Sequence, residues 1–173
     1  ILTAASSGVG TAAVRLAKAF GCKVIATTRT ADKAEKIRAI GADEVVCTNT
    51  EHLIPRILEL TSGAGVPVAF DSVGGPSWDS LLESLSPGGR LVFCGATGGG
   101  KTTLDLPKVY AKRLSILGSF LGSTWQLREI LKLVERKALA PTIDKVFPLA
   151  KAAEAHEYLE SGRHFGKVVL IVD

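Results

Sequence analysis

The sequence contains no methionine, and it begins with isoleucine inside an apolar, strand-like run, so we expect the natural protein to continue upstream. It has no apolar run near the roughly 20 residues that a membrane-spanning helix requires. No signal peptide or targeting tail is visible, which predicts a cytoplasmic protein without a membrane partner. Basic stripes and interleaved aromatic residues are also missing, and their absence argues against nucleic acid as a partner.

Cysteine is scarce. Cys22, Cys47 and Cys94 are far apart, odd in number, and two of them lie in apolar, strand-like runs. This pattern is typical of buried thiols in a reducing compartment, and it disfavours a disulfide framework or a zinc knuckle.

Chain length, composition and net charge are those of an ordinary globular domain. The 173 residues, of which 46% are hydrophobic, suit one domain with a substantial core. The net charge of +4 comes from basic residues spread along the chain, as on an ordinary solvated surface.

Short β-branched runs alternate regularly with segments of helical periodicity. Strands are predicted at 1–4, 23–27, 44–47, 68–71, 90–94, 115–120, 143–147 and 167–172. Helices are predicted at 9–20, 32–40, 53–60, 78–85, 108–113, 123–136 and 149–159. This order predicts an α/β fold, a doubly wound parallel sheet with helices on both faces. Such sheets bind ligands beyond the carboxyl ends of their strands.

The turn between the first strand and the first helix reads Ala4-Ala5-Ser6-Ser7-Gly8-Val9-Gly10. Its small residues allow the backbone to approach a pyrophosphate, and the helix N-terminus offers N–H groups and a positive dipole end. Against G-x-G-x-x-G, the glycine positions hold Ala5, Ser7 and Gly10. Because the turn opens the first βα unit, we interpret residues 1–141 as a Rossmann-type dinucleotide-binding domain; a plain tight turn is the alternative.

The end of the second strand indicates which cofactor is bound. It runs into Thr27-Thr28-Arg29-Thr30, with no carboxylate before Asp32, which we expect to cap the following helix. An acidic residue there would bind the ribose 2′-hydroxyl of NAD(H). Arg29 and Lys33 instead suit a 2′-phosphate, so NADP(H) is favoured over NAD(H), unless both side chains are simply solvated.

A second nucleotide motif is weaker. Residues 95–102 fit G-x-x-x-x-G-K-T as a string, but Leu104-Asp105-Leu106-Pro107 interrupts the helix that a P-loop needs. An ATP- or GTP-binding module is therefore the less favoured hypothesis. The three histidines, His52, His156 and His164, are isolated in sequence, and no proton donor or metal-ligand set is apparent.

Two enzyme families were compared by motif. Tyr110 and Tyr158 are not followed by lysine at +4, which does not fit the short-chain dehydrogenases. Seven further stretches occur in order along the chain: ILTAASSGVGTAAVRLAK, VIATTRTADKAEKIRAIGAD, FDSVGG, LSPGGRLVFCGATGG, LSILGSFLGS, VFPLAKAAEAHEYLESG and HFGKVVL. Together they resemble the medium-chain dehydrogenase/reductase superfamily, and within it most of all the quinone oxidoreductase and zinc-type alcohol dehydrogenase-like group.

The resemblance implies hydride transfer by a longer enzyme whose catalytic lobe precedes this chain. Residues 142–173, a C-terminal αβ extension, would complete that lobe, and the chain alone would be inactive. Any zinc ligands would lie on that lobe, so none are expected here. A non-catalytic structural relative of the family is the remaining alternative.

The resemblance also assigns cofactor-binding roles along the chain. Thr48 stands where quinone reductases often have a tyrosine near the 2′-phosphate, so a hydroxyl remains but the ring contacts are lost. The implied cofactor-binding residues are Ser7, Gly8, Val9, Gly10, Thr28, Arg29, Lys33, Thr48, Asp71, Val73, Gly74, Gly95, Ala96, Thr97, Phe120, Leu121 and Gly122. The apolar run Leu114–Leu121 is a predicted sheet edge, through which a homodimer is expected.

Overall fold

Parallel strands and helices alternate along the chain, as the sequence pattern predicts. In the computed structural model, which describes residues 1–172, the strands are β1 (Ile25–Thr28), β2 (Glu44–Cys47), β3 (Val66–Asp71), β4 (Leu85–Phe93), β5 (Ser115–Gly118), β6 (Ile143–Pro148) and β7 (Lys167–Ile171). The helices are α1 (Gly8–Ala19), α2 (Ala34–Ala39), α3 (Leu53–Leu60), α4 (Trp78–Ser84), α5 (Leu106–Ala111), α6 (Thr124–Glu135) and α7 (Ala152–Glu160). Single 3₁₀ turns at Ala31–Lys33, Gly75–Ser77 and Leu149–Lys151 lead into α2, α4 and α7.

The predicted first strand, residues 1–4, is reduced to a single bridging residue. Leu2 pairs in parallel with both Ala26 of β1 and Phe70 of β3. The extended backbone is interrupted at Ala4, which has a φ of 46°. Leu2 thereby joins the β1–β2 ladder to the β3–β4–β5 ladder. The resulting order, β2-β1-Leu2-β3-β4-β5, is the strand order of a Rossmann sheet.

Helices cover both faces of this sheet, which confirms the doubly wound prediction. Neighbouring residues of one strand enter opposite cores: Ile25 belongs to the core under α3 and α4, whereas Ala26 belongs to the core under α1 and α2. Val46 and Val45 divide in the same way. This alternation follows from the two-residue period of a strand.

Several predicted boundaries were wrong. β4 begins at Leu85, not at residue 90, because Leu85 already pairs with Val66. Asp32 does not cap a helix: Thr30 is the extended residue before the 3₁₀ turn, and Asp32 lies in the turn itself. A hydrogen bond from the Thr30 side chain lowers the pKa of Asp32. At the start of α6, Ser123 and Gln126 form a capping box in which each side chain accepts the other residue's backbone N–H.

The expectation of buried thiols holds only for Cys47. Cys22 and Cys94 are exposed, because Cys22 follows the surface turn at Gly21 and Cys94 lies just beyond the end of β4. In the described residues all three cysteines are free thiols. Among residues 1–172, no helix combines the length and apolarity that crossing a membrane demands.

The C-terminal unit contacts the start of the chain. β6 and β7 pair in parallel, and α7 connects them. Gly166 N–H donates to the carbonyl of Ser6 at 2.9 Å, and Arg15 Nε donates to Thr142 Oγ1 at 3.3 Å. These bonds bring the segment before β7 to the turn that precedes α1.

Candidate functional site

A cleft of about 690 Å³ lies at the carboxyl ends of the central strands, where this fold binds ligands. It gathers seven of the predicted site residues: Ser7, Thr28, Arg29, Lys33, Thr48, Val73 and Thr97. Gly8, Val9 and Gly10 form the adjoining first turn of α1.

The turn before α1 is built to present backbone N–H groups. Ala4 adopts a left-handed backbone conformation, an uncommon one for a residue with a side chain, and its carbonyl accepts the N–H of Ser7 at 2.9 Å. Ser7 caps α1 by accepting from Gly10 N–H at 2.9 Å. The N–H groups of Gly8 and Val9 have no partner inside the helix, because they belong to its first turn. They and the helix dipole suit an anion.

Two glycines of this turn are closely packed, Gly10 against backbone and Gly8 against the end of a side chain. A β-carbon on Gly10 would lie 2.6 Å from Cα of Ala5, and nearer still to the Ala4 carbonyl oxygen. A β-carbon on Gly8 would lie 2.8 Å from Nζ of Lys167. Lys167, at the start of β7, therefore adds a positive charge beside the N-terminus of α1.

The ends of β1 and β2 form the other end of the cleft. Thr48 N–H donates to the carbonyl of Thr28 at 2.8 Å, and its hydroxyl donates to the same oxygen at 3.3 Å. Arg29 is exposed and lines the cleft beside them.

Lys33 has a structural contact that the sequence did not indicate. Its ammonium donates to the backbone carbonyls of Gly162 and His164, the latter at 2.9 Å. Burial lowers the pKa of Lys33. Since an ammonium carries three N–H bonds, Lys33 ties the C-terminal segment to the cleft and keeps one donor for a ligand.

Several lining residues were missed by sequence reasoning. Glu51 and His52 precede α3, and Gly162 and His164 come from the C-terminal unit. His52 and His164 look isolated along the chain, yet both line the cleft, and Nδ1 of His164 is buried without a hydrogen-bond partner in the described part of the molecule. No local pattern signals these residues, because only the folded chain brings them together. Ser6, Ser77 and Ser80 also line the cleft.

Asp71 is fully buried, and it organises the loop after β3. Its carboxylate accepts Thr3 Oγ1 at 2.6 Å, Val73 N–H at 3.2 Å, Gly74 N–H at 2.7 Å and Trp78 Nε1 at 3.0 Å. Asp71 does not line the cleft described above, whereas Val73 does. The carboxylate therefore shapes the loop that the cleft uses.

Glycine contacts join the loop after β3 to the loop after β4. Gly98 N–H donates to the carbonyl of Val73 at 2.7 Å, and Gly74 bridges Gly99. A β-carbon on Gly95 would lie 2.5 Å from the carbonyl oxygen of Ser72. Of the predicted residues here, Thr97 lines the main cleft, while Gly74, Gly95 and Ala96 line a smaller cavity of about 180 Å³.

The string Gly95–Thr102 is not followed by a helix. The next helix, α5, begins only at Leu106. A P-loop needs a helix N-terminus directly after its lysine, so this geometry does not support ATP or GTP binding.

The predicted site residues after β5 are not among the residues that line the cleft. Phe120 is 87% exposed and Leu121 83%, and neither they nor Gly122 line either cavity. Leu121 has a φ of 56°, which turns the backbone sharply at this point.

Metal-binding side chains are not clustered in this site. Across residues 1–172, no three His, Cys, Asp or Glu side chains gather so as to hold a metal ion.

The chain is similar in sequence to known dehydrogenases and quinone oxidoreductases. The zinc-binding dehydrogenase family model matches residues 8–136. A quinone oxidoreductase of Pseudomonas aeruginosa is 36% identical over 97% of the chain and 54% of its own length. The chain spans about half the length of the curated relatives it matches.

Solved structures show the same fold. A crystal structure of an NAD-dependent alcohol dehydrogenase is 40% identical with a TM-score of 0.93, covering 99% of this chain and 50% of that one. Escherichia coli quinone oxidoreductase complexed with NADPH is 32% identical with a TM-score of 0.86, covering 99% of this chain and 56% of that one.

Proposed function

Since this chain belongs to the zinc-binding dehydrogenase family of the medium-chain dehydrogenase/reductase superfamily, we propose that it is the NADP(H)-binding part of an oxidoreductase. The reaction is hydride transfer to or from a small-molecule substrate, of the quinone reductase or alcohol dehydrogenase-like type. The observation that carries the proposal is the cleft that opens at the α1 turn and runs to Arg29.

The residues of the cleft fit a dinucleotide. The first turn of α1 offers N–H groups for the diphosphate. Lys167 of β7 adds its charge beside them, and the absence of a β-carbon at Gly8 leaves room for its side chain. Arg29, with its planar donor group, suits a 2′-phosphate, and Lys33 keeps one donor for it. Val73 and Thr97 contribute to the wall formed by the glycine-linked loops.

The role of these residues is binding and orientation. The nicotinamide supplies the hydride chemistry when bound, and the protein holds its reactive face toward the substrate. We propose that residues 142–173 complete a catalytic lobe and that Phe120–Gly122 meet the carboxamide end of the cofactor. Among the described residues, no three His, Cys, Asp or Glu side chains gather as a ligand set for the zinc of the family name.

Arg29→Ala is expected to weaken NADPH binding by about tenfold and NADH binding much less, because a bidentate guanidinium contact exists only with the 2′-phosphate. Fluorescence titration with each nucleotide measures both dissociation constants. Arg38→Ala is the control, since Arg38 pairs with Glu35 on the surface and does not line the cleft. Equal losses for NADPH and NADH in Arg29→Ala would contradict the assignment of a 2′-phosphate to this end.

We further propose a homodimer through the Leu114–Leu121 edge. β5 is the last strand of its ladder, and Leu117 is 45% exposed on it, with Phe120 and Leu121 exposed directly beyond. An uncovered edge with apolar side chains favours pairing with a second copy.

Leu117→Lys is expected to convert this dimer to a monomer, because a buried ammonium at the new junction would lack a partner. Light scattering should give twice the 18.2 kDa chain mass for the wild type and the single mass for the variant. Leu58→Lys, at an exposed position of α3, controls for the added charge and should remain dimeric. A monomeric wild type at high concentration would rule the proposal out.

A further inference from the structure

A carboxylate shares the cleft with the basic residues that suit a 2′-phosphate. Glu51 lines the cleft together with Arg29 and Lys33. Its Oε1 accepts the N–H of Cys47 at 2.7 Å, and Cys47 is the residue of β2 that pairs with Thr28 of β1. Glu51 is thus fixed at the strand ends from which Arg29 emerges.

Arg56 of α3 only partly neutralises this carboxylate. Its Nε lies 3.7 Å from Oε2 of Glu51, whereas its NH1 lies 2.7 Å from Oε2 of Glu59. Glu44 is a third partner, at 3.8 Å. The hydrogen bond with Glu59 is the main reason that the pKa of Arg56 is raised. One guanidinium is therefore shared among three carboxylates, and its closest contact is with a residue that does not line the cleft.

We propose that Glu51 is a specificity-determining residue of the cleft, whose charge opposes a 2′-phosphate, and that Arg56 moderates this opposition by holding the carboxylate. The inference rests on the proposed function. A 2′-phosphate bound by Arg29 would share the cleft with Glu51, and like charges repel there. An unphosphorylated ribose carries no such charge, and a carboxylate can accept its hydroxyl. Arg29 and Lys33 then favour the ribose with a 2′-phosphate, and Glu51 favours the ribose without it. The preference of the cleft is the balance of these two effects.

The test uses the full chain and two probes that differ only by the 2′-phosphate: adenosine 2′,5′-bisphosphate and 5′-AMP. Glu51→Gln removes the charge but keeps an amide oxygen for the N–H of Cys47. At low ionic strength this substitution should raise the affinity for the bisphosphate by about three- to tenfold and change the affinity for 5′-AMP by less than about twofold. The gain should shrink in high salt, because Glu51 is partly exposed and screening is effective there.

Arg56→Gln should act in the opposite direction and lower the affinity for the bisphosphate by about two- to fivefold. In the Glu51→Gln background the same substitution should weaken binding of the bisphosphate less, because the Glu51 charge is gone and only Glu44 and Glu59, outside the cleft, lose their partner. Glu35→Gln is the matched control: it removes one negative charge at an ion pair with Arg38 outside the cleft, and both affinities should stay unchanged.

The outcomes separate the inference from the proposed function. If the wild-type chain binds neither probe, both are overturned. If the wild type binds the bisphosphate but Glu51→Gln shifts both probes equally, or neither, the role of Glu51 alone is overturned. The proposed coupling would also be refuted if Arg56→Gln lowered the affinity for the bisphosphate equally with and without the Glu51 charge.

Discussion

Gly10→Val is expected to lower the free energy of unfolding by about 2–3 kcal/mol and to weaken nucleotide binding by about tenfold or more. The β-carbon alone would lie 2.6 Å from Cα of Ala5, and closer still to the carbonyl oxygen of Ala4. Both obstacles are backbone, so no side-chain rotation relieves them. The turn must open, and Ser7 then loses its bond with the Gly10 N–H. Urea unfolding followed by circular dichroism, with NADPH titration, measures both effects.

Gly100→Ala supplies the control for this substitution. A β-carbon there meets no atom within 4 Å, so we expect its unfolding free energy to stay within about 0.5 kcal/mol of the wild type. If Gly10→Val were as mild as Gly100→Ala, the close contact between the α1 turn and the preceding segment would be refuted.

The sequence predicted most of the fold because periodicity is a local property. β2 and α3 were predicted with their observed bounds, since both are short apolar patterns with clear ends. The first strand was wrong in length because the left-handed conformation of Ala4 leaves no mark in residue type. The early start of β4 was missed because Pro87-Gly88-Gly89 is typical of a turn, although the structure keeps these residues in the strand.

The candidate site was predictable only where its residues are adjacent in sequence. The α1 turn and the Thr28–Arg29 strand end are local motifs, and the structure brings them to one cleft. Lys33, by contrast, bonds to a carbonyl 131 positions away, and that packing cannot be read from a local pattern. Asp71 was predicted from its place in a family-like stretch, and the structure shows its carboxylate as a buried hydrogen-bond acceptor.

Because the Asp71 carboxylate is buried with all its acceptor bonds made, its replacement should have the second large effect on stability. Asp71→Asn is expected to lower the free energy of unfolding by about 3 kcal/mol. Oδ1 accepts Val73 N–H, and Oδ2 accepts both Gly74 N–H and Trp78 Nε1. Whichever way an amide is oriented, its NH₂ group faces an N–H donor, so at least one buried donor loses its acceptor. Urea unfolding measures the loss, and the near-ultraviolet dichroism of Trp78 should weaken in the folded variant.

Asp79→Asn is the matched control, because it makes the same chemical change at an exposed position of α4, next to Trp78. We expect its unfolding free energy to change by less than about 0.5 kcal/mol.

Nucleotide binding distinguishes a shaping role for Asp71 from direct contact with the ligand. If the carboxylate only shapes the loop, Asp71→Asn should weaken NADPH and NADH by the same factor, since Val73 is displaced for both. A selective loss of one nucleotide, with stability unchanged, would instead mean that Asp71 touches the ligand and that the hydrogen-bonded arrangement described above is incorrect.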